Sequence, residues 1–134
     1  MFHKLINMRF FESNILVTKD DLDDLNHVNN VRYVQWVQDI AKQHWLHRTP
    51  ATILENYFWV MLNHYIEYKN SALLHDSLKI KTYILNFKGA ACMRIVEISK
   101  NDVLIVKSET KWCLMNTKSK RPVRITEEIA ELFE

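Results

Sequence analysis

Hydrophobic and polar residues alternate over five stretches of the chain, and this two-residue period predicts strands. The first predicted strand runs from Phe11 to Lys19, with Phe11, Ser13, Ile15 and Val17 on one side. The next begins at Phe58 and has Phe58, Val60, Leu62, Ile66 and Tyr68 on one face. The last three are Ser77 to Phe87, Ala91 to Ser99 and Val103 to Asn116. Because the joints between the last four strands are short, we expect consecutive strands to pair as an antiparallel meander.

Between the first two strands the hydrophobic period changes to three and four residues. This spacing predicts an amphipathic helix from Asn30 to about His47, ending before Pro50. Its apolar stripe comprises Tyr33, Val34, Val37, Ile40, Ala41, His44 and Trp45. A short helix is predicted from Glu127 to Phe133. The expected fold class is therefore α+β, with one long helix packed on an antiparallel sheet of about five strands and a short C-terminal helix.

Length and composition narrow the function classes. With 134 residues, 48% of them hydrophobic, the chain is expected to form a single domain over residues 1–134. A formal charge of +2 argues against a nucleic-acid partner. The sequence has no apolar run of the roughly 18 to 20 residues that span a bilayer, so no membrane span and a cytoplasmic location are expected. Cys92 and Cys113 lack CxxC spacing and are expected to be reduced.

The segment "DLDDLNHVNN", residues 21–30, concentrates polar side chains just before the long helix. Asn caps helix N-termini well, and Asp is favoured near the positive end of a helix dipole, so one interpretation is purely structural. The same geometry also suits chemistry, because free N–H groups at a helix start can hold a developing oxyanion while a nearby carboxylate activates water or attacks directly. The residue types alone leave both interpretations open.

Metal and thiol chemistry are weaker interpretations of the chain. A calcium loop beginning at Asp21 would need glycine at its sixth position and glutamate at its twelfth, where Asn26 and Arg32 stand. His27, His44 and His47 have no HExxH pattern or companion cysteine, so no metal site and no cofactor are expected. Cys113 lies in "WCLM", where the alternation indicates packing more than nucleophilic reactivity.

The opening segment and the helix after it, "DLDDLNHVNNVRYVQW", closely resemble the D-x-D-x-x-G-H-V-N-N-x-x-Y-x-x-W signature of hotdog-fold acyl thioesterases, in their 4-hydroxybenzoyl-CoA thioesterase-like and plant-type acyl-ACP thioesterase branches. "IEYKNSALLHDSLKIKT" is similar to the family's Y-x-x-P-x-x-x-G-D-x-L strand pair, with Tyr68, Asp76 and Leu78 in register. "SETKWCLMNTKSKRPVRI" is similar to its final strand and R-P-x-x-I turn. The resemblance implies a hotdog fold over most of the chain and hydrolysis of an acyl thioester.

Site roles follow from the resemblance residue by residue. It implies that Asp23 is the general base or nucleophile, that the backbone N–H of Asn30 polarises the thioester carbonyl, and that His27 is linked to catalysis. Asn29 is expected to cap the helix or brace the loop. An apolar cleft beside the helix is expected to bind the acyl group, with candidate lining residues Tyr33, Trp36, Val37, Phe58 and Trp59.

The chain departs from the family pattern at two positions of the loop before the helix, and also at Ser71 and His75, which replace the turn proline and the glycine before Asp76. Asn26 replaces the residue before the histidine and can adopt a positive φ, so the turn is expected to be kept. Leu25 stands where the plant-type enzymes carry a catalytic asparagine, which leaves a non-catalytic acyl-binding or regulatory protein as an alternative. An acyl dehydratase would need aspartate and histidine five apart, whereas Asp23 and His27 are four apart.

The expected partners are an acyl thioester and further copies of the chain. The acyl group is carried by coenzyme A or acyl carrier protein, both anionic, and "KSKRPVR" offers Lys118, Lys120, Arg121 and Arg124 to meet them. One helix does not cover a five-stranded sheet, so a homodimer or homotetramer is expected, formed through the remaining sheet or its edge.

Overall fold

A computed structural model of the chain describes residues 10–134. Its five strands are β1 Phe11–Leu16, β2 Tyr57–Tyr68, β3 Ser77–Lys88, β4 Ala91–Lys100 and β5 Val103–Asn116. Its three α-helices are α1 Asn30–Arg48, α2 Ala51–Asn56 and α3 Glu127–Glu131, and a 3-10 turn covers Lys19–Asp21. The predicted α+β class, the long helix and the short C-terminal helix are confirmed. The short helix α2 was not predicted, because six residues are too few to give a helical period.

The strands form one antiparallel sheet in the order β1-β3-β4-β5-β2. The meander prediction is confirmed for β3, β4 and β5 but is wrong for β2, which pairs with β5 and not with β3. The segment between β2 and β3, residues 69–76, therefore crosses three strand spacings, about 14 Å. Eight residues reach about 26 Å when extended, so the segment is long enough to cross. Its hydrogen bonds to the start of α1, described below, hold it there.

The face assignment for β2 also needs correction. A bulge between Met61 and Asn63 shifts the register against β5, so Phe58 and Val60 do not share a face with Ile66 and Tyr68. On the α1 side of the sheet Trp59 packs before the bulge and Ile66 after it. Leu62 is the additional residue, and alternation alone does not reveal such an insertion.

Helix α1 lies across the sheet and separates its interior into two clusters. Its buried residues are Tyr33, Trp36, Val37, Ile40, Ala41 and His44, which confirms most of the predicted stripe. The first cluster joins the first half of α1 to β3, β4 and β5. The second joins Trp45, the ends of the strands, α3 and the residues just after it, where Phe133 is 1% exposed. Cys92 and Cys113 are free thiols, as predicted. No helix within residues 10–134 combines the length and apolarity needed to cross a bilayer.

Candidate active site

The loop before α1 is organised around the side chain and backbone of Asp23. Its Oδ1 accepts hydrogen bonds from the amides of Leu25 at 2.9 Å and His27 at 3.1 Å. Its own amide donates to the His27 carbonyl at 2.7 Å, and its carbonyl accepts from the Asn26 amide at 3.1 Å. Asn26 has φ +62°, the positive value expected from its residue type. Both side-chain bonds involve Oδ1, so Oδ2 of the half-buried carboxylate remains for another partner.

Asp21, two residues earlier, has a structural role that the sequence did not reveal. It is 3% exposed and accepts hydrogen bonds from the Thr18 amide at 2.8 Å and from Arg32 Nε at 2.6 Å. Its carbonyl accepts from the Asn29 amide at 2.8 Å. Burial alone would raise the pKa of Asp21, but the hydrogen bonds from Thr18 and Arg32 outweigh it and hold the pKa below its usual range. Asp21 thus fixes the loop to the first turn of α1.

The start of α1 leaves one amide free. Asn29 is the N-cap, and its Oδ1 accepts from the Val31 amide at 3.0 Å, as the structural interpretation of the sequence predicted. The Arg32 amide donates to the Asn29 carbonyl at 2.9 Å. Within residues 10–134 the amide of Asn30 has no such acceptor. This N–H, at the positive end of a 19-residue helix, is therefore available to an external oxygen.

The crossing segment, residues 69–76, forms the opposite wall of this region. The Val28 amide donates to the Ala72 carbonyl at 3.0 Å, and His27 forms a β-bridge with Leu73. Asp76 holds the segment, accepting from the Leu73 amide at 2.8 Å and from Lys100 Nζ at 2.6 Å. The loop before α1 and the crossing segment are thus held together by backbone hydrogen bonds.

A cavity of about 210 Å³ lies between these loops. Four predicted site residues line it together: Asp23, His27, Asn30 and Tyr33. Tyr68 and residues 69–71 complete the wall. The Tyr33 hydroxyl accepts from the Ala72 amide at 3.2 Å, and burial raises the pKa of Tyr33 despite this hydrogen bond, with a further contribution from the nearby Asp76 and Asp23 carboxylates. The cavity is thus lined by an acidic residue, by the residue with the free helix-start amide and by a buried tyrosine.

A larger cavity, of about 480 Å³, lies at the other end of β2, between that strand and α1. Phe58 and Trp59, predicted for the acyl cleft, line this cavity and not the smaller one. Trp36, another candidate, is 5% exposed in the core and lines neither cavity, because its ring packs on Tyr33. Asn29 lines neither, because its side chain caps α1. The sequence candidates are therefore divided between two cavities.

Several residues of the larger cavity were not identified from the sequence. Trp45, Trp112, Cys92 and Arg94 line it, and they come from α1, β5 and β4. Their proximity depends on where α1 crosses the sheet, which the local sequence pattern does not give. Leu25, the departure from the plant-type pattern, is 74% exposed and lines neither cavity. Among residues 10–134, no three His, Cys, Asp or Glu side chains are grouped so that they could hold a metal ion.

Comparison with solved structures shows a shared fold. A hypothetical protein from Staphylococcus aureus, solved in complex with CoA, is 19% identical with a TM-score of 0.82, over 93% of this chain and 82% of the other. A probable thioesterase from Escherichia coli is 21% identical with a TM-score of 0.81, over 90% of this chain and 94% of the other. A 1,4-dihydroxy-2-naphthoyl-CoA thioesterase from Synechocystis is 13% identical with a TM-score of 0.78, over 92% of this chain and 95% of the other. At these identities the likeness establishes the hotdog fold alone.

Sequence comparison establishes the family. None of the curated proteins matches the chain. A family model described as the thioesterase-like superfamily matches residues 17–133, which include both loops, strands β2 to β5 and all the residues that line the two cavities. The likeness to the signature of residues 21–36 is therefore part of a match over nearly the whole chain, and the chain belongs to the thioesterase-like superfamily.

Proposed function

We propose that this protein hydrolyses an acyl-CoA thioester in the smaller cavity. The observation that carries the proposal is that Asp23 and Asn30, the residue whose amide has no acceptor within residues 10–134, line the same cavity. A thioester carbonyl between them would have a carboxylate to drive attack and an N–H group to stabilise the oxyanion. Membership of the thioesterase-like superfamily supports this class of reaction.

In the proposed reaction Asp23 acts as general base through Oδ2, or attacks the carbonyl itself. As general base it takes a proton from water, and the resulting hydroxide attacks the thioester carbon. The Asn30 amide donates to the tetrahedral oxyanion, which collapses and expels the CoA thiolate. His27, at the rim of the same cavity, is assigned the delivery of a proton to that sulfur. Oδ1 stays bonded to the loop and fixes the carboxylate's direction.

We further propose a homodimer formed through β2. This strand is at one edge of the sheet, is 12 residues long and exposes Val60, Leu62 and Tyr65 by 39%, 53% and 61%. A long apolar edge readily pairs with another strand. Pairing of two β2 strands about a two-fold axis is antiparallel, so the Tyr68 end of one meets the Tyr57 end of the other. The smaller cavity of one copy then adjoins the larger cavity of its partner, which offers an acyl pocket of ordinary ligand size.

The dimer proposal predicts that β2 edge substitutions separate the copies. Leu62→Lys is expected to shift the sedimentation coefficient from dimer to monomer and to reduce hydrolysis, because the acyl pocket would be supplied by the partner. Lys79→Leu, on the interior strand β3, is the control and is expected to remain dimeric. A wild-type protein that sediments as a monomer while hydrolysing thioesters would contradict the proposal.

A panel of acyl-CoA esters with a thiol-detecting reagent tests the proposed activity. Short-chain, medium-chain and aromatic esters are expected to differ in rate, and at least one is expected to release CoA thiol catalytically. The exposed Leu25 favours a second candidate, an acyl-binding protein without turnover, which would bind esters and release no thiol. Reversible hydration of an enoyl-CoA without thiol release would instead indicate a dehydratase.

A further inference from the structure

The wall of the larger cavity contains a buried cation, Arg94, on β4. The residue is 5% exposed, and its Nη1 donates to His44 Nδ1 at 2.9 Å and to Thr82 Oγ1 at 2.9 Å. The Thr82 hydroxyl carries no charge. His44 is also neutral at neutral pH, because burial and then the nearby cations lower its pKa to about 3. A guanidinium has five N–H donors, so these two bonds leave three of them for other acceptors. Buried arginines are ordinarily paired with an acid.

Among residues 10–134, no Asp or Glu forms an ion pair with Arg94. Residues 1–9, "MFHKLINMR", contain no acid. The nearby thiol of Cys92 is neutral, since burial raises its pKa to about 12. Burial lowers the pKa of Arg94 to about 10, so the guanidinium remains charged at neutral pH and its charge is uncompensated.

The rest of the cavity favours an apolar ligand with one negative charge. Trp45, Trp59, Trp112 and Ile84 form its walls. At its mouth Asp39 and Lys42 have opposite charges, and Gln35 donates to Asp39 at 2.8 Å. These two charges offset each other, so Arg94 determines the charge of the interior. A volume of about 480 Å³ is within the usual range of small-molecule sites.

We infer that this cavity binds an organic carboxylate on a ring-sized or medium-length apolar body, with the carboxylate on Arg94. If the proposed hydrolysis holds, the substrate class becomes acyl thioesters whose acyl group bears a second, free carboxylate away from the thioester carbon. That assignment of substrate rests on the proposed function, whereas binding of the carboxylate does not. The planar guanidinium suits a carboxylate through two parallel N–H donors. A phosphate offers similar oxygens, but its higher charge and hydration fit tryptophan walls poorly.

Tryptophan fluorescence gives a direct binding test, because three of the four tryptophans line the cavity. 3-Phenylpropionate is expected to bind wild-type protein about ten- to a hundredfold more tightly than its neutral isostere 3-phenylpropionamide. Arg94→Met is expected to remove this preference, and Arg94→Lys to keep part of it. Lys79→Met removes an exposed cation that lines neither cavity and is expected to keep the preference. A thermal melt verifies that each variant is folded.

The rates of thioester hydrolysis provide a second test of the inference. Adipoyl-CoA and hexanoyl-CoA have the same carbon chain and differ in a terminal carboxylate, so wild-type kcat/KM is expected to favour adipoyl-CoA and Arg94→Met to favour hexanoyl-CoA. Hydrolysis without any carboxylate preference overturns the assignment of substrate class and leaves the proposed function standing. Carboxylate binding that depends on Arg94, with no thiol release from any ester, supports the anion site and contradicts the hydrolase.

Two further results would overturn the inference. Equal affinity of the acid and the amide for wild-type protein would mean that Arg94 is already neutralised, for example by an acid of a second copy. Displacement of the bound acid by adenosine 3′,5′-bisphosphate, dependent on Arg94, would assign the cation to the CoA phosphates instead.

Discussion

Replacing Asp23 by asparagine is expected to lower kcat/KM for acyl-CoA hydrolysis by about a hundred- to a thousandfold, because the general base or nucleophile is lost. The free energy of unfolding is expected to change by less than about 0.5 kcal/mol. The reason is that the asparagine Oδ1 still accepts the amides of Leu25 and His27, which are the bonds that hold the loop. Steady-state kinetics with CoA thiol detection, together with urea unfolding, measures both quantities.

Two neighbouring aspartates provide matched controls for this substitution. Asp24 is exposed and lines neither cavity, so Asp24→Asn is expected to keep wild-type activity. Asp21→Asn turns one acceptor oxygen into a donor facing Thr18 or Arg32, so a loss of about 2 kcal/mol of stability is expected. An Asp23→Asn protein that is folded and turns over at the wild-type rate would rule out Asp23 as the catalytic carboxylate.

The sequence predicted those parts of the fold that depend on local periodicity. The long helix and the five strands follow from spacings of three to four residues and of two, which each element repeats several times. Strand order is different, because it depends on which edges meet after residues 69–76 cross the sheet. The bulge at Leu62 was likewise hidden, since one inserted residue changes a face without changing composition.

The smaller cavity was more predictable than the larger one for the same reason. Asp23, His27, Asn30 and Tyr33 lie within eleven consecutive positions, so one loop and one helix turn are enough to assemble them. The larger cavity gathers Trp45, Trp59, Arg94 and Trp112 from four separate elements. Arg94 has no local signature, because it occupies an inward position of a strand that otherwise reads as apolar.

The contact between Arg94 and His44 explains how α1 tolerates a histidine on its apolar face. His44 is 0% exposed and packs against Phe11 and Phe133, whose ring centroids are 5.3 and 4.9 Å away. Because Arg94 donates to Nδ1, the neutral ring carries its proton on Nε2. A protonated ring would set two cations against each other in the core. The fold therefore requires the neutral form of His44.

That requirement makes stability depend on pH. The pKa of His44 is lowered from 6.5 to about 3 in the folded protein, so on acidification the unfolded chain takes up this proton first. The free energy of unfolding then falls by about 1.4 kcal/mol per pH unit, or about 2 to 3 kcal/mol between pH 6 and pH 4. Stability from this group is complete above pH 6.5 and declines as the pH approaches 3.

His44→Gln isolates this effect, because a glutamine oxygen can accept from Arg94 and does not titrate. The variant is expected to be less stable at pH 7, since it loses the aromatic packing. Its free energy of unfolding should fall less steeply between pH 6 and pH 4, by the roughly 1.4 kcal/mol per pH unit that uptake of one proton contributes. The pKa of His64 is also lowered by burial, yet its contribution is common to both proteins and cancels in the difference. Urea unfolding at pH 6, 5 and 4, followed by tryptophan fluorescence, measures both slopes. Parallel profiles for the two proteins would show that His44 does not reside in the folded core as a neutral acceptor for Arg94.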